Sequence, residues 1–332
     1  MDQVKVLESF ASPRPTSNPY IHQLAAALRA EPGLDLRTFS WREALRGDYE
    51  VFHLHWPDTL VTASSPVSRL GKRFAVALLL ARLRFRGIPV VRTRHNSRPH
   101  EGSRLSMKLE RRFARLTVAS ILLNDATAAG GIVIRHGDYR DWYAPYPRAE
   151  RVADRIAFVG LIRPYKGVEE LIAAFRELVT ARPGASLTVS GKPRTTELAR
   201  EIEGLAAGEP SIALTLDYVD DAAFVAAVTA ASLVVLPYRT MENSGVALAA
   251  LSLDRPILVP RSPATEALRD EVGPEWVLLY EGDLSAATLD TALGAAQRAT
   301  GRPEFEGRDW AEAGARHREV LASAARGRTR SR

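Results

Sequence analysis

The sequence predicts an α/β protein made of two Rossmann-like, doubly wound domains that face a central cleft. Its 332 residues exceed the ~100–200 residues of a usual single domain. Short apolar runs with strand character alternate with helical patterns, which is typical of parallel βαβ units. This alternation stops at 143–152, where Pro145 and Pro147 indicate a connection, and then starts again. Because ligands of such sheets bind beyond the carboxyl ends of the strands, we expect the active site between the two domains.

The first domain is predicted to span residues 1–146. Its strands are expected at 3–10, 34–40, 49–55, 88–93 and 119–123. Its helices are expected at 20–30, 67–86 and 104–116. Ser17 or Asn18 precedes the first helix and is expected to cap it, since both side chains can accept a bond from a free backbone N–H. The alternative is that they contact the acceptor.

The second domain is predicted at 147–307 and repeats the pattern. Its strands are expected at 155–159, 185–190, 212–216, 233–237 and 256–259. Its helices are expected at 168–181, 195–207, 221–231 and 245–253. A last helix at 308–325 precedes a basic tail at 326–332, which we expect to be disordered.

The composition excludes several classes of protein. The chain has no cysteine, which excludes disulfides, thiolate zinc sites and a cysteine nucleophile and fits a reducing compartment. The residues after Met1 lack the basic and apolar regions of a signal peptide. The longest apolar run, at 74–81, ends at Arg82, well short of the ~20 residues of a membrane span. We therefore expect a cytoplasmic protein.

Positive charge is concentrated in the first domain. Residues 1–146 hold 22 Lys and Arg against 13 Asp and Glu, whereas the remainder holds 23 against 26. Two basic helices, at 69–86 and 104–116, carry much of this charge next to apolar positions. Such helices can lie on an anionic lipid surface, so we expect peripheral contact with the inner face of the plasma membrane. The alternative is a core helix with a solvated basic face.

A glycine-flanked segment, Gly160-Leu161-Ile162-Arg163-Pro164-Tyr165-Lys166-Gly167, follows a predicted strand and opens a helix. Glycine lets the backbone approach a ligand, and the start of a helix offers free N–H groups to an anion. Arg163 and Lys166 add two cations, which favours a cradle for a diphosphate. The residues alone also allow a solvated loop whose cations flank the helix.

This segment resembles the donor-diphosphate loop of the GT-B glycosyltransferases. Further segments agree with that family in order, namely Val189-Ser190-Gly191-Lys192, Tyr218-Val219-Asp220, Leu236-Pro237-Tyr238-Arg239 and Asn243-Ser244-Gly245. The resemblance implies donor-binding roles for Arg163, Lys166, Gly191, Lys192, Tyr218, Val219, Glu242, Asn243, Ser244 and Gly245. It also implies domain closure around the donor, a last helix that crosses back to the first domain, and catalysis without a metal or a cofactor.

One departure from that pattern concerns the nucleotide. The large retaining family 4 has two glutamates eight positions apart in the donor loop, and with Glu242 as the first, the second position holds Ala250. The segment looks closer to bacterial exopolysaccharide-type transferases, including mannosyltransferases. The resemblance therefore implies GDP-mannose as the first choice of donor and a glycan or polyprenyl-linked acceptor. Retention or inversion at the anomeric carbon stays open.

His95 ends an apolar strand of the first domain, where an active-site loop belongs. By resemblance it matches the GT-B histidine that faces the donor sugar. An imidazole can donate to a sugar hydroxyl or transfer a proton, and Glu101 or Asp58 is a candidate base for the acceptor hydroxyl. The alternative is that His95 only ends the strand beside a polar surface loop.

His53 and His55 alternate along another strand, and we expect them to face opposite sides of it. With Asp58 they suggest a metal, but ligands on opposed faces are poor partners, so no metal site is predicted. Trp56 is a candidate platform for a sugar ring, or a packing residue. His136 resembles the histidine that precedes the interdomain connection, where it contacts ligand or only positions the chain.

The sequence thus predicts a hexosyltransferase that uses a nucleoside-diphosphate sugar. A nucleotide-sugar epimerase on the same fold is the enzymatic alternative. A pI of about 9.7 suggests a nucleic-acid-binding protein instead, but no helix-turn-helix, RNP or zinc-finger signature is visible. We therefore expect no nucleic-acid partner.

Overall fold

A computed structural model, which describes residues 3–62, 65–95, 104–126 and 130–330, divides the chain into two compact units. Unit 1 comprises Met1–Gly137 and Gly307–Arg332, and unit 2 comprises Asp138–Glu306. In the sequence, the boundary between the two units lies before the segment that was expected to connect the domains, because Tyr139 and Tyr143 are buried in the core of unit 2. Within the described ranges, no helix is both long and apolar enough to cross a membrane.

Unit 1 contains a six-stranded parallel sheet. Its strands are β1 (Val4–Glu8), β2 (Leu34–Arg37), β3 (Val51–Leu54), β4 (Val90–Arg94), β5 (Thr117–Leu122) and β6 (Ile132–Val133). Its first helices are α1 (Pro19–Ala30), α2 (Trp41–Arg46), α3 (Pro66–Phe85) and α4 (Arg104–Ala114). The strand order β2-β1-β3-β4-β5-β6 reverses its direction between β1 and β3, so ligands are expected at the carboxyl ends of those two strands.

Unit 2 repeats this architecture. Its strands are β7 (Arg155–Val159), β8 (Ser186–Ser190), β9 (Ile212–Thr215), β10 (Leu233–Val235), β11 (Ile257–Pro260) and β12 (Val277–Tyr280). Its helices are α5 (Arg140–Tyr143), α6 (Val168–Ala181), α7 (Thr196–Ala206), α8 (Asp221–Ala230), α9 (Gly245–Ser252), α10 (Pro263–Val272) and α11 (Ala286–Ala296). The parallel order β12-β11-β10-β7-β8-β9 reverses between β7 and β10.

Helix α1 begins as the sequence predicts. The Asn18 side chain accepts a hydrogen bond from the Tyr20 amide at 3.0 Å, and Pro19 occupies the first turn, where its missing N–H costs nothing. Asn18 is therefore confirmed as the cap, and Ser17 instead accepts from the Arg14 amide.

The last helix, α12 (Trp310–Arg330), packs against α1 within unit 1. Val320, Leu321 and Ala325 are buried in the core they share with α1. The expectation that the tail at 326–332 is disordered was wrong as far as Arg330. Ala325 anchors the helix just before the tail, and arginine is a strong helix former, so the last turns continue.

Candidate active site

The Gly160–Gly167 loop of unit 2 leaves β7 at the strand where the sheet order reverses. Gly167 has a left-handed backbone (φ 64°) and directly precedes α6. A β-carbon on Gly167 would lie 2.3 Å from the Pro237 carbonyl oxygen, so only glycine permits this approach of the two loops. The loop that follows β10 is thereby packed onto the loop that follows β7.

Lys166 is a buried cation in this loop. Its side chain is 8% exposed. Its ammonium donates a hydrogen bond to the Tyr238 hydroxyl at 3.1 Å, with Nζ 4.6 Å from the centre of the Tyr238 ring. No carboxylate of the described chain forms an ion pair with it, and burial lowers its pKa to about 8. A buried charge without a counter-charge is costly, so the site is suited to receive an anion.

Arg163 and the Gly191 turn adjoin Lys166. The Arg163 guanidinium donates to the Ile162 carbonyl at 2.8 Å and reaches the Lys192 carbonyl at 3.5 Å. A β-carbon on Gly191 would lie 1.8 Å from the Gly160 carbonyl oxygen. The turns after β7 and β8 therefore touch through glycine, which brings these predicted donor residues together.

Helix α9 starts at the same edge of the sheet. Ser244 caps it by accepting from the Ala247 amide at 3.2 Å, and the helix begins at Gly245. A β-carbon on Gly160 would lie 3.8 Å from Lys166 Nζ and 3.2 Å from Val246 Cγ2, so the lysine ammonium lies beside the first turn of α9. Two helix N-termini thus flank the buried lysine, an arrangement that favours a bound anion.

The other predicted donor residues occupy different surroundings. Glu242 and Asn243 are half-buried just before the α9 cap. Tyr218 is 51% exposed and Val219 is half-buried against the unit 2 core; both follow β9, at the edge of the sheet. Lys192 is exposed. These positions remain predictions as donor contacts.

In unit 1, Glu8 lies between two histidines at the point where the sheet order reverses. Its Oε1 is 2.9 Å from His53 Nδ1, and its Oε2 is 3.1 Å from His55 Nε2. All three side chains are buried. Burial alone raises the pKa of Glu8, but the interactions with His53 and His55 outweigh it and lower that pKa to about 2.

The expectation that His53 and His55 face opposite sides was wrong. Successive side chains of a strand alternate, so residues two apart share a face. The His55 amide also donates to the Ser9 hydroxyl at 2.9 Å, which holds it beyond the end of β3. The two rings are 4.3 Å apart. Burial, followed by His53, lowers the pKa of His55 to about 4.

Glu8, His53 and His55 have the donor set of a metal site. One ligand atom from each lies within 4.8 Å of the others. The carboxylate oxygens and ring nitrogens are, however, already hydrogen-bonded to one another, to the Thr93 hydroxyl at 2.9 Å and to His95. The arrangement is therefore that of a closed hydrogen-bond network.

His95 follows β4 and extends this network. Its Nε2 is 3.2 Å from His55 Nδ1. Its ring stacks on Trp56 with centroids 4.0 Å apart, and Tyr20 meets it edge-on at 5.2 Å. Burial, and then the neighbouring His55, place the pKa of His95 well below its ordinary value. Burial therefore favours the neutral form of this imidazole.

Three further predicted residues have different outcomes. Asp58 is exposed in the short turn after Trp56, and its carboxylate bonds to nothing in the described ranges. Glu101 lies outside the described residues. His136 is buried, donates from Nδ1 to the Gly137 carbonyl at 2.7 Å and lies 4.7 Å from the Tyr20 ring. Burial lowers its pKa to about 4.

Glu8, Thr93 and Tyr20 belong to this network or contact it, but they were not predicted as site residues. Glu8 carries a recognisable signal, because it is a charged residue at the carboxyl end of a strand, directly after the buried apolar residues Val6 and Leu7, where catalytic groups of α/β proteins collect. Thr93 and Tyr20 carry no such signal, since threonine is common in strands and tyrosine in helix faces that pack.

The chain is similar to proteins of known activity. Residues 153–295 match the family model described as glycosyl transferases group 1. A GDP-mannose:glycolipid 4-beta-D-mannosyltransferase of Xanthomonas campestris pv. campestris is 40% identical over 325 residues, which cover 95% of this chain and 91% of that protein.

Solved structures are similar over nearly the whole chain. Sucrose-phosphate synthase from Thermosynechococcus elongatus has a TM-score of 0.60 at 17% identity, covering 99% of this chain and 98% of that one. UDP-GlcNAc 2-epimerase from Neisseria meningitidis has a TM-score of 0.57 at 14% identity, covering 96% and 100%. These likenesses confirm the predicted α/β fold with two parallel, doubly wound sheets.

Proposed function

Because the chain belongs to the GT-B glycosyltransferases, we propose that it transfers a mannosyl residue from GDP-mannose to a lipid-linked glycan acceptor. The observation that carries the proposal is Lys166, a buried cation without an ion-pair partner in the described chain, between two helix N-termini. The choice of mannose and of a glycolipid acceptor draws on the relative that is 40% identical.

Lys166 and Arg163 would bind the diphosphate of the donor, and the backbone amides at the start of α9 would bind sugar or phosphate oxygens. The acceptor hydroxyl attacks the anomeric carbon, the bond from that carbon to the phosphate oxygen breaks, and GDP leaves with the electron pair. Fixed positive charge at the leaving group stabilises this transition state.

A β-linked product, as in the name of the relative, requires inversion from an α-linked sugar nucleotide. Inversion is a single displacement, so a base must take the proton of the acceptor hydroxyl. His95, Asp58 and Glu101 are our candidates for that base. His95 is favoured among them, because it is neutral and fixed by neighbouring rings.

Removal of the buried cation tests the donor site. We expect Lys166→Met to weaken GDP binding by about 10- to 100-fold, since a charge-assisted hydrogen bond contributes ~1.5–3 kcal/mol. Isothermal titration with GDP, UDP, ADP and dTDP measures this and identifies the nucleotide. Arg200→Met, which removes an exposed cation on α7, is the matched control.

Selective binding of GDP that is lost in Lys166→Met and kept in Arg200→Met supports the proposal. Unchanged GDP affinity in Lys166→Met contradicts the diphosphate role of this loop. Turnover of the sugar nucleotide without any acceptor favours the epimerase alternative.

We propose further that α3 and α4 hold the protein on an anionic membrane surface. Five apolar side chains of α3 are 44–86% exposed. These are Val67, Leu70, Phe74, Leu78 and Phe85. At ~100° per residue they fall within about 80° of arc on one side of the helix. The opposite side packs into the core through Val76, Leu79 and Leu83, so α3 has two apolar faces.

Exposed cations accompany this apolar stripe on α3 and also occur on the next helix of the chain, α4. Arg69, Arg73, Arg84 and Arg86 are exposed on or next to α3. Lys108, Arg111, Arg112 and Arg115 are exposed on or next to α4. An apolar stripe bordered by cations is the surface of a helix that lies in a lipid interface. It supports peripheral binding at the cytoplasmic side of the membrane, where a lipid-linked acceptor would be presented.

A further inference from the structure

We propose that a cavity at the amino-terminal edge of the unit 1 sheet binds one acyl chain of an anionic phospholipid, whose phosphate is held by Arg84 and Arg115. The cavity has a volume of about 580 Å³, within the ~300–1,000 Å³ of small-molecule sites. All of its lining residues belong to unit 1. The proposal does not depend on the sugar that the protein transfers.

The cavity lies at the opposite edge of the sheet from the histidine network. Pro89 lines the cavity and immediately precedes β4, whereas His95 follows the other end of that strand. At ~3.3 Å per residue, the six steps from Pro89 to His95 span about 20 Å. A molecule bound in the cavity therefore leaves the predicted catalytic edge open.

The short strand β6 explains why the sheet is open at this place. β6 pairs with β5 only at Ile121 and Leu122. Within the described chain, residues 117–120 of β5 pair with β4 on one side and with no strand on the other. Val118 and Ile132, which line the cavity at this edge, are 62% and 42% exposed. Two strands thus present apolar side chains that no element of the described chain covers.

The walls of the cavity are mainly apolar. They come from the end of α3, the turn before β4, the starts of β5 and β6, and the last turns of α12. The larger apolar side chains are those of Leu83, Ile88, Leu116, Val118, Ile132 and Val320. Because transfer of apolar surface from water is favourable, an acyl chain that covers these side chains gains binding free energy.

Charge decides which kind of amphiphile fits. Arg84 and Arg115 are the charged residues among the described lining, both are exposed, and neither forms an ion pair within the described ranges. Ser323 adds a hydroxyl to the same lining, and no carboxylate of the described chain does. Two guanidinium groups and a hydroxyl beside apolar walls are complementary to a phosphate that carries an alkyl chain.

The helical position of Arg84 places the cavity next to the exposed stripe of α3. At ~100° per residue, Arg84 falls about 40° from Leu70, at the border of that stripe, whereas Leu83 points toward the core. A lipid that lies against the stripe therefore reaches the cavity without crossing water. The stripe contacts the lipid surface in general, and the cavity takes a single molecule.

Titration of the full-length protein with monomeric lipids tests the cavity. Palmitoyl lysophosphatidylglycerol, below its micelle concentration, supplies one chain and a net negative head group. We expect saturable binding of one molecule per protein by isothermal titration. Palmitoyl lysophosphatidylcholine, which has the same chain and no net charge, should bind about 10-fold more weakly or less, and glycerol 3-phosphate, which has no chain, should show no binding.

Removal of the two cations tests the head-group contact. We expect Arg84→Gln/Arg115→Gln to weaken binding of lysophosphatidylglycerol by about 10-fold or more and to abolish the preference over lysophosphatidylcholine. Arg200→Gln/Arg298→Gln removes the same charge from exposed positions of unit 2 and should leave both affinities unchanged. An unchanged preference in the Arg84/Arg115 variant overturns the role of these residues.

Two further variants test the position of the chain. Ser323→Trp places a large ring in the cavity from an exposed position of α12, and Val118→Asp places an anion against the head group from an exposed position of β5. Both should lose binding while keeping the wild-type melting temperature within a few degrees. Wild-type affinity in both variants means that the lipid binds elsewhere, and this overturns the proposal.

The outcomes also separate this site from the other proposals. Leu70→Gln/Phe74→Gln, which alters the stripe alone, should keep its affinity for monomeric lysophosphatidylglycerol, and a parallel loss overturns a separate site. Tighter binding of farnesyl phosphate than of lysophosphatidylglycerol overturns the choice of an acyl chain in favour of a polyprenyl chain. A protein that binds the lipid as expected but transfers no sugar from GDP-mannose contradicts the proposed function and leaves the cavity assignment intact.

Discussion

At the scale of single residues, Gly167 is constrained both by its backbone conformation and by its packing against another loop, and experiments can separate these two effects. Gly167 has a φ of 64° and its missing β-carbon would meet the Pro237 carbonyl oxygen at 2.3 Å. Gly208, which follows α7, has a φ of 78° with nothing within 4 Å of the equivalent position. Both are left-handed, but only Gly167 also lies against another backbone.

We expect Gly208→Ala to cost about 1 kcal/mol of unfolding free energy, the penalty of a left-handed non-glycine residue. Gly167→Ala should cost roughly 3 kcal/mol or more, because the loop after β7 must also move away from Pro237. The displacement carries Lys166 with it, so GDP affinity should fall at least ~10-fold in Gly167→Ala only. Urea unfolding and calorimetric titration measure both quantities, and equal GDP affinities would contradict the packing argument.

At the scale of elements, α3 is unusual in having one apolar face in the core and another exposed to solvent. Exposed apolar patches of this kind mark interaction surfaces in soluble proteins. Replacement of exposed residues leaves the buried face intact, so binding can be altered without unfolding the unit.

We expect Leu70→Gln/Phe74→Gln to reduce binding to vesicles of anionic phospholipid by about 10-fold or more, since two large apolar side chains leave the interface. Vesicle sedimentation measures this. Thr288→Ala/Arg298→Ala in unit 2 serves as a control outside the proposed surface. Binding that depends only on ionic strength, and is unchanged in the double variant, would show that charge alone holds the protein on lipid.

The strands and helices could be predicted from the sequence more completely than the contacts between side chains. The alternating pattern is enough to place most strands and helices, because each must bury one face, and the Asn18 cap follows from local chemistry. The Glu8–His53–His55–His95 network was not predictable in this way. In the sequence, Glu8 is 45 residues from His53 and 47 residues from His55. Only the strand order β1-β3-β4 brings the members of the network together.

At the scale of the whole molecule, the two units differ in their histidine content. All seven histidines lie outside 138–306, and therefore in unit 1. Burial is the main cause that lowers the pKa of His55 and His136 to about 4 and that of His317 to about 3. These groups are neutral in the folded protein and take up protons when it unfolds near pH 6.

The sign of the pH effect follows from these shifts. Histidines with depressed pKa values stabilise the fold less as pH falls from ~6.5 toward 4, because the unfolded chain binds more protons. Glu8, whose pKa is lowered to about 2, adds a further loss below ~4.5. We expect calorimetry to show unit 1 melting at least ~5 °C lower at about pH 5 than at about pH 7.5, and unit 2 much less changed.

Limited proteolysis can assign each transition to its unit. His317→Leu should reduce the loss on acidification, because His317 is buried with no hydrogen-bond partner for Nε2 in the described chain. A melting temperature for unit 1 that is equally high at both pH values would contradict this account.

The position of α12 has a consequence for biosynthesis. The ribosome completes the strands of unit 1 first, then all of unit 2, and only then the helix that covers α1. At ~5–20 residues per second, the intervening stretch of about 170 residues takes roughly 10–30 s to emerge. Throughout that interval the nascent chain presents Leu24 and Leu28 of α1 without Leu321 and Ala325. During synthesis there is therefore a stage at which a chaperone can bind the apolar face of α1. The chaperone is displaced only when α12 has been made and covers that face.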